Sequence, residues 1–301
     1  MTVKESFDNF ILSRQLADLS PKTVSDYRQF VMPFLAAVNP DRDYETLSQA
    51  DINAYIQALL KKPVSKATKA TYIRNMKVYL RWCENEYGAL YQATRIKVPK
   101  SPKKSVRIYT DADVREIFGS VHSETPWLTY RNKCIVALMY DSGLRQSEVC
   151  SLRWGKIAFA ENRMSVYGKG NKERTVPLGQ LTQHFMRLYK GACPYETDKV
   201  FVNRHGKPLT CNAVKLFMSR LANGLPFELS SHKLRHNFAT NYCIDQYEKY
   251  GRVDIYQLMY LMGHEEIETT QRYLHFAMEI IAARGAISHL DNILKTENGE
   301  N

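Results

Sequence analysis

Between residues 96 and 110 the chain reads IKVPKSPKKSVRIYT, and neither a helical nor a strand period survives in it. Pro99 and Pro102, with Lys97, Lys100, Lys103 and Lys104, make this stretch an exposed, extended connector rather than part of a core. It divides the 301 residues into two pieces, each long enough to bury a core of its own, and the 44% hydrophobic content suffices for both. The expected organisation is a helical domain over 1–95, a linker over 96–106, a second domain over 107–290 and a C-terminal tail over 291–301.

Before the linker, apolar positions recur at helical spacing from Ser6 to Tyr91, broken at LSPKT (19–23), VNPDRDYETLS (38–48) and KKPVSKATK (61–69). Ser20, Ser48 and Ser65 stand at these breaks as N-caps, which predicts four helices or so. After the linker, TDADVREIFGSV and NKCIVALMYDSG read as helices. NRMSVYG and ERTVPLG alternate like strands around the turn KGNK at 169–172. The expected fold class is mainly α with a small β-hairpin or sheet (α+β).

No apolar run approaches the roughly 18 residues that span a bilayer, and MTVKESFDNF lacks the hydrophobic stretch of a signal peptide. A cytoplasmic protein without a membrane partner is expected. The six cysteines stand singly, with no C-x-x-C pair, which fits reduced thiols rather than disulfides or structural zinc. A net charge of +11, of which +7 falls within residues 1–104, favours a polyanionic partner, nucleic acid above all. In the segment 66–85, Lys66, Arg74, Lys77 and Arg81 fall within an arc of about 80° of a helix, opposite Tyr72, Met76, Tyr79, Leu80 and Cys83. Such a basic stripe can lie along a groove and neutralise phosphates, and Lys103 and Lys104 of the linker extend it.

In the second domain Arg, Lys, His and Tyr concentrate in four segments, DSGLRQSEVCSLRW, VYGKGNKERTVPL, SSHKLRHNFAT and LMGHEEIETTQRYLH. His232 and His236 have the spacing of a zincin helix, but Lys233 stands where such a site needs a glutamate, so no metal is expected. A phosphate grip fits better. Arg145 and Arg235 each offer a forked pair of donors that matches phosphodiester oxygens, and both stay charged at any working pH.

These four segments, in this order, resemble the tyrosine recombinase (phage integrase) family in its two-domain, Xer-type layout. SGLRQSEVCSL is similar to that family's first arginine box, GKGNKERTVPL to its lysine hairpin, HKLRH to its second box and LMGHEEIETTQRYLH to its final box. The resemblance implies a helical, SAM-like core-binding domain followed by a catalytic domain. It implies that Arg145 and Arg235 clamp the scissile phosphate, with Glu148 orienting the site. Lys169 would protonate the departing 5′ oxygen, His232 would assist proton transfer and His264 would hydrogen-bond the phosphate. Tyr273 would be the nucleophile that forms a 3′-phosphotyrosine. Lys172 and Arg174 lie close to Lys169, and the family pattern favours the lysine between the two glycines. Bond energy is kept in the intermediate, so the implied chemistry needs neither ATP nor metal. The implied partner is double-stranded DNA with inverted half-sites, bound by a dimer on one site and a tetramer on synapsed DNA.

Two features depart from the pattern. DQYEKYGRVD (245–254) lengthens the path from Arg235 to His264 by about two helical turns or a loop. The chain also starts at the core-binding type of domain, so the extra arm-binding domain of larger integrases is not expected. A type IB-like topoisomerase would use the same chemistry without a partner protomer, and an accessory DNA-binding protein would carry a degenerate site. Beyond Tyr273, Ile280, Ala283, Ile287, Leu290 and Leu294 repeat at spacings of three and four, an apolar stripe that docks on its own domain or passes to a neighbouring protomer.

Overall fold

The computed structural model describes residues 1–100, 107–168 and 172–285. Lys103, Lys104, Lys169, Ile287, Leu290, Leu294 and the tail 291–301 lie outside the described residues. The chain divides into two compact units, Met1–Lys104 and Ser105–Asn301.

The first unit is built from α1 (Val3–Leu16), α2 (Pro21–Val38), α3 (Gln49–Lys61) and α4 (Lys66–Tyr87). Each start is written locally. Ser20, Ser48 and Ser65 accept a backbone N–H of the first turn of α2, α3 and α4, and Pro21 occupies a position where its missing N–H costs nothing. The helices close on Phe7, Phe10, Phe34, Tyr79 and Leu80, all buried, each such side chain contributing about 1.5–3 kcal/mol by burial. The Tyr79 hydroxyl, deep in this core, is satisfied by Ser6 Oγ at 2.7 Å. Ile96 is part of the same core, one residue into the stretch expected as linker.

The second unit opens with α5 (Asp111–Gly119), α6 (Pro126–Asp141) and α7 (Gln146–Ser151). The sheet of β1 (Ile157–Ala158), β2 (Arg163–Tyr167) and β3 (Glu173–Pro177) follows, antiparallel and in that order. Then come α8 (Gln180–Ala192), α9 (Cys211–Asn223), α10 (Ser231–Tyr250), α11 (Ile255–Met262) and α12 (Ile267–Gly285). The fold is mainly helical with one small sheet, as the sequence pattern requires. α6 is buried without a break from Cys134 to Met139 and packs against α8 and α10, the behaviour of a helix apolar all round. β2 and β3 pair with Met164 opposite Val176 and Val166 opposite Arg174, and these four residues turn inward.

The extension at 245–254 is the C-terminal end of α10 and the turn after it. Gly251 closes α10 in the left-handed region at φ 67°, and Asp254 opens α11 by accepting the Gln257 N–H at 2.9 Å. α12 packs on α10 and α11. Ala277, Ile280 and Ile281 join the Phe238, Cys243 and Leu258 cluster, so the apolar stripe docks on its own domain as far as Ile280, while Ala283 is exposed. Among the described residues no helix is long and apolar enough to cross a membrane.

Candidate active site

The C-terminal end of α11 gathers three arginines. Gly263, left-handed at φ 59°, reverses the chain so that its own N–H and that of His264 return to the carbonyls of Tyr260 and Met259. The next three carbonyls have no helical partner and carry the negative end of the helix dipole. Leu261 O accepts from Arg174 Nε at 2.8 Å, Met262 O from Arg235 Nη2, and Gly263 O from Arg145 Nη2 at 2.7 Å. Residues from α7, β3 and α10 therefore converge on one turn of chain.

Glu148 is the carboxylate of this cluster. Arg145 is the N-cap of α7, and Glu148, three residues on, accepts both the Arg145 backbone N–H at 2.7 Å and Nη1 at 2.9 Å. From β3, Arg174 donates Nη1 and Nη2 to the two oxygens of Glu148 at 2.7 and 2.9 Å. Burial opposes the charge of Glu148, which is 2% exposed, but the bonds and charges of Arg174 and Arg145 outweigh it and hold the pKa below the ordinary value. Arg235 is buried and also donates to Gly143 O. Burial and the neighbouring Arg145 lower its pKa, and it remains a cation at neutral pH. Of the five N–H groups of a guanidinium, Arg145 spends only two on Glu148 and Gly263, which leaves donors for a ligand.

His264 follows this turn. Its Nδ1 lies 2.9 Å from Thr270 Oγ1 and its Nε2 lies 3.4 Å from Arg235 Nη2. A guanidinium only donates, so Nε2 accepts and Nδ1 carries the proton toward Thr270. Burial, then the charges of Arg235, Arg145 and Arg174, push the His264 pKa down to about 4. Tyr273, on α12 and 7% exposed, stacks on the His264 ring at 6.0 Å and meets the His236 ring edge-on at 4.8 Å. Burial raises its pKa, and Arg235, Arg272 and Arg145 partly offset that rise.

Arg145, Glu148, Arg235, His264 and Tyr273 thus come together. His232 lies one turn before Arg235, at the exposed start of α10, with its pKa lowered by loss of hydration and by Arg235 and Arg272. His236 is buried against Tyr273 and Phe276 and packs, with its Nδ1 3.4 Å from Thr240 Oγ1. Among the described residues no three His, Cys, Asp or Glu side chains converge as metal ligands. A cavity of about 600 Å³ opens between the β2–β3 hairpin and the turn after α11, with Arg145, Arg174 and His264 on its wall. At its edge Lys172 pairs with Glu265 at 3.4 Å. In the first unit Lys66, Arg74 and Arg81 are exposed on α4, and their side chains have no ion pair or hydrogen bond among the described residues. Lys77 differs: it is half-buried and donates Nζ to Ile96 O at 2.7 Å.

The phage integrase family model matches residues 107–279, more than half of the chain. The chain belongs to the phage integrase family. It is a tyrosine recombinase, an enzyme that cleaves and rejoins DNA. The N-terminal SAM-like domain of phage integrases matches residues 7–89 of this integrase. Tyrosine recombinase XerC of Lacticaseibacillus casei (strain BL23) is 28% identical over 274 residues, covering 86% of this chain and 89% of the relative. Tyrosine recombinase XerC of Xylella fastidiosa (strain 9a5c) is also 28% identical, over 270 residues, with 88% and 89% covered. The fold is shared with the Tn1549 transposon integrase in complex with transposon right end DNA, at TM-score 0.73 and 16% identity over 95% of this chain and 100% of that one. It is likewise shared with a lambda integrase dimer bound to a COC′ core site, at TM-score 0.71 and 19% identity over 91% and 95%.

Sequence reasoning set Arg174 aside as a neighbour of Lys169, yet in this recombinase it is bound to Glu148. The signal was present: in the alternation of ERTVPLG, Arg174 shares the inward face with Val176. Gly263 and Thr270 are further residues of the site: the carbonyl of Gly263 serves Arg145, 118 residues away, which no local pattern marks, whereas Thr270 meets His264 only six residues away, within LMGHEEIETTQRYLH.

Proposed function

We propose that this recombinase cuts one strand of DNA with Tyr273 while Arg145 and Arg235 hold the scissile phosphate. The observation that carries the reading is the gathering of three guanidiniums, two of them on one carboxylate and the third on backbone carbonyls, beside a buried phenol. The cluster has surplus positive charge, and attack on a phosphodiester adds negative charge to the nonbridging oxygens, so preplaced cations favour the transition state over the ground state. Tyr273 Oη forms a bond to phosphorus as the bond to the 5′ oxygen breaks, leaving a 3′-phosphotyrosine and a 5′ hydroxyl. His232, neutral at pH 7 because its pKa is lowered, suits acceptance of the phenolic proton. Lys169 would give a proton to the 5′ oxygen. A phosphate that replaces His264 as a partner of Arg235 calls for the tautomer with a proton on Nε2, and the Thr270 hydroxyl, donor or acceptor alike, permits that change. Glu148 orients Arg145. The phosphotyrosine keeps the energy of the broken linkage, so no ATP or metal enters the scheme.

Lys66, Arg74 and Arg81 of α4, with Lys103 and Lys104, would contact DNA phosphates, and Lys77 less so because its ammonium is engaged. The substrate would be duplex DNA with inverted half-sites, occupied by a dimer, two such sites joining in a tetramer. The lambda integrase dimer on a core site and XerH on palindromic difH, a structure 18% identical with TM-score 0.70, support the two-fold arrangement. Free cysteines throughout suit the cytoplasm.

The test is adduct formation on a nicked suicide duplex carrying the site obtained by selection of bound DNA. Wild type should form a covalent protein–DNA adduct, and Tyr273→Phe should bind equally well and form none. An adduct that persists in Tyr273→Phe moves the nucleophile to another tyrosine, Tyr260 and Tyr256 first. Recombination of a two-site substrate, without relaxation of a site-free plasmid, separates this activity from that of a type IB-like topoisomerase.

A further inference from the structure

We infer that Arg174 is a positioning residue for strand cleavage: it fixes Glu148, and through it Arg145, while tying the lysine hairpin to the turn that carries His264. This rests on the phosphate-clamp reading above. Arg174 occupies an inward position of β3, opposite Val166, where alternation calls for an apolar side chain, and it is 5% exposed. A charge buried there is costly unless every donor is used well. All three of its nitrogens are used, Nη1 and Nη2 on the two oxygens of Glu148 and Nε on Leu261 O. The neighbouring backbone N–H, that of Thr175, donates to Tyr260 Oη at 3.1 Å, a second tie between β3 and α11.

Both ends of this grip bear on the proposed clamp. Glu148 is the group that holds Arg145 Nη1, and Leu261 O is the first of three consecutive carbonyls, the other two of which hold Arg235 and Arg145. With Arg174 in place, two guanidiniums share the charge of Glu148, and both of its oxygens are occupied by Arg174. Without it, Glu148 retains only Arg145, and its charge competes with the phosphate for that guanidinium. A lysine here restores the charge but cannot span both Glu148 oxygens and Leu261 O together.

The experiment compares Arg174→Met and Arg174→Lys with wild type in the full chain. It measures half-site affinity, single-turnover adduct formation and thermal unfolding. Arg174→Met should bind DNA within a few-fold of wild type and form adduct about a hundredfold more slowly. Arg174→Lys should recover part of that loss, which identifies the charge, but stay at least about tenfold slow. Arg174→Met combined with Glu148→Gln should be little slower than Arg174→Met alone, because both act through Arg145. Adduct formation at the wild-type rate by either single variant overturns the inference, as do losses that multiply in the double variant. If Arg174→Met does not fold, Arg174→Lys decides by the same criterion. An Arg145→Lys control that forms adduct at the wild-type rate would instead refute the clamp reading.

Discussion

Gly263→Ala separates two jobs of one residue, ending α11 and giving room to two guanidiniums. At φ 59° an L-residue costs about 1–2 kcal/mol. A Cβ at this position would also stand 3.0 Å from Arg174 Nη1, 3.1 Å from Arg174 Cζ and 3.2 Å from Arg145 Nη1. Ordinary carbon contacts begin near 3.5 Å, so the two side chains must yield by a few tenths of an ångström. Neither yields freely, since Arg174 is bound at Glu148 and Leu261, and Arg145 at Glu148 and Gly263 itself. Gly251 supplies the control: it is left-handed at φ 67°, also caps a helix, and an added Cβ meets nothing within 4 Å. In urea melts both alanine variants should lose about 1–2 kcal/mol, which leaves a domain of about 5–15 kcal/mol folded. In single-turnover cleavage Gly251→Ala should match wild type, whereas Gly263→Ala should fall about tenfold or more, given that misplacement by about 1 Å can cost a hundredfold. Equal cleavage rates for the two variants would refute the idea that α11 sets the arginines.

Acid should destabilise the second unit through His236, whose pKa is lowered from 6.5 to about 4 by burial first and by His232 and Arg272 in part. The unfolded chain then binds the extra proton between these values, so the stabilisation is complete above pH 6.5 and is lost as pH falls toward 4. At about 1.4 kcal/mol per unit the loss reaches about 3 kcal/mol, and His236→Gln should flatten the stability curve by up to that amount. Replacing Lys66, Arg74 and Arg81 with alanine should reduce the slope of log affinity against log salt by about 2–3, at about 0.9 per phosphate contact. Lys77→Ala should instead lower stability through loss of its bond to Ile96 O, and leave the slope nearly unchanged.

Much of the scaffold is legible because its causes are local. The serine caps of α2, α3 and α4, the apolar run of α6 and the alternation of β2 and β3 each depend on residues a few positions apart. Lys77 shows where this stops. Its place on the basic stripe follows from helical spacing, but its engagement with Ile96 O depends on how the chain returns after α4, which no period records. β1, only two residues long, has no pattern to read. The extension at 245–254 leaves helix and loop open from spacing alone, and it resolves into both because Gly251 ends α10 and Asp254 starts α11.

The proposed roles of the site residues depend on one another through charge. Arg145, Arg174 and Arg235 repel at close range, and Glu148 with four backbone carbonyls, those of residues 143, 261, 262 and 263, holds them in place. Burial first, and then the same field that would stabilise a transferring phosphate, disfavour imidazolium and lower the pKa values of His264 and His232 in the DNA-free protein. The field also offsets part of the burial that keeps the Tyr273 phenol protonated. A phosphate entering this cluster adds negative charge beside both histidines and raises their pKa values, while its oxygens compete for the donors that Arg235 now shares with His264. In the proposed scheme, binding of DNA would therefore move His264 from accepting a hydrogen bond toward donating one. The chemistry of that scheme would follow from where the arginines are held, which the last turn of α11 sets together with Glu148 and the carbonyl of Gly143.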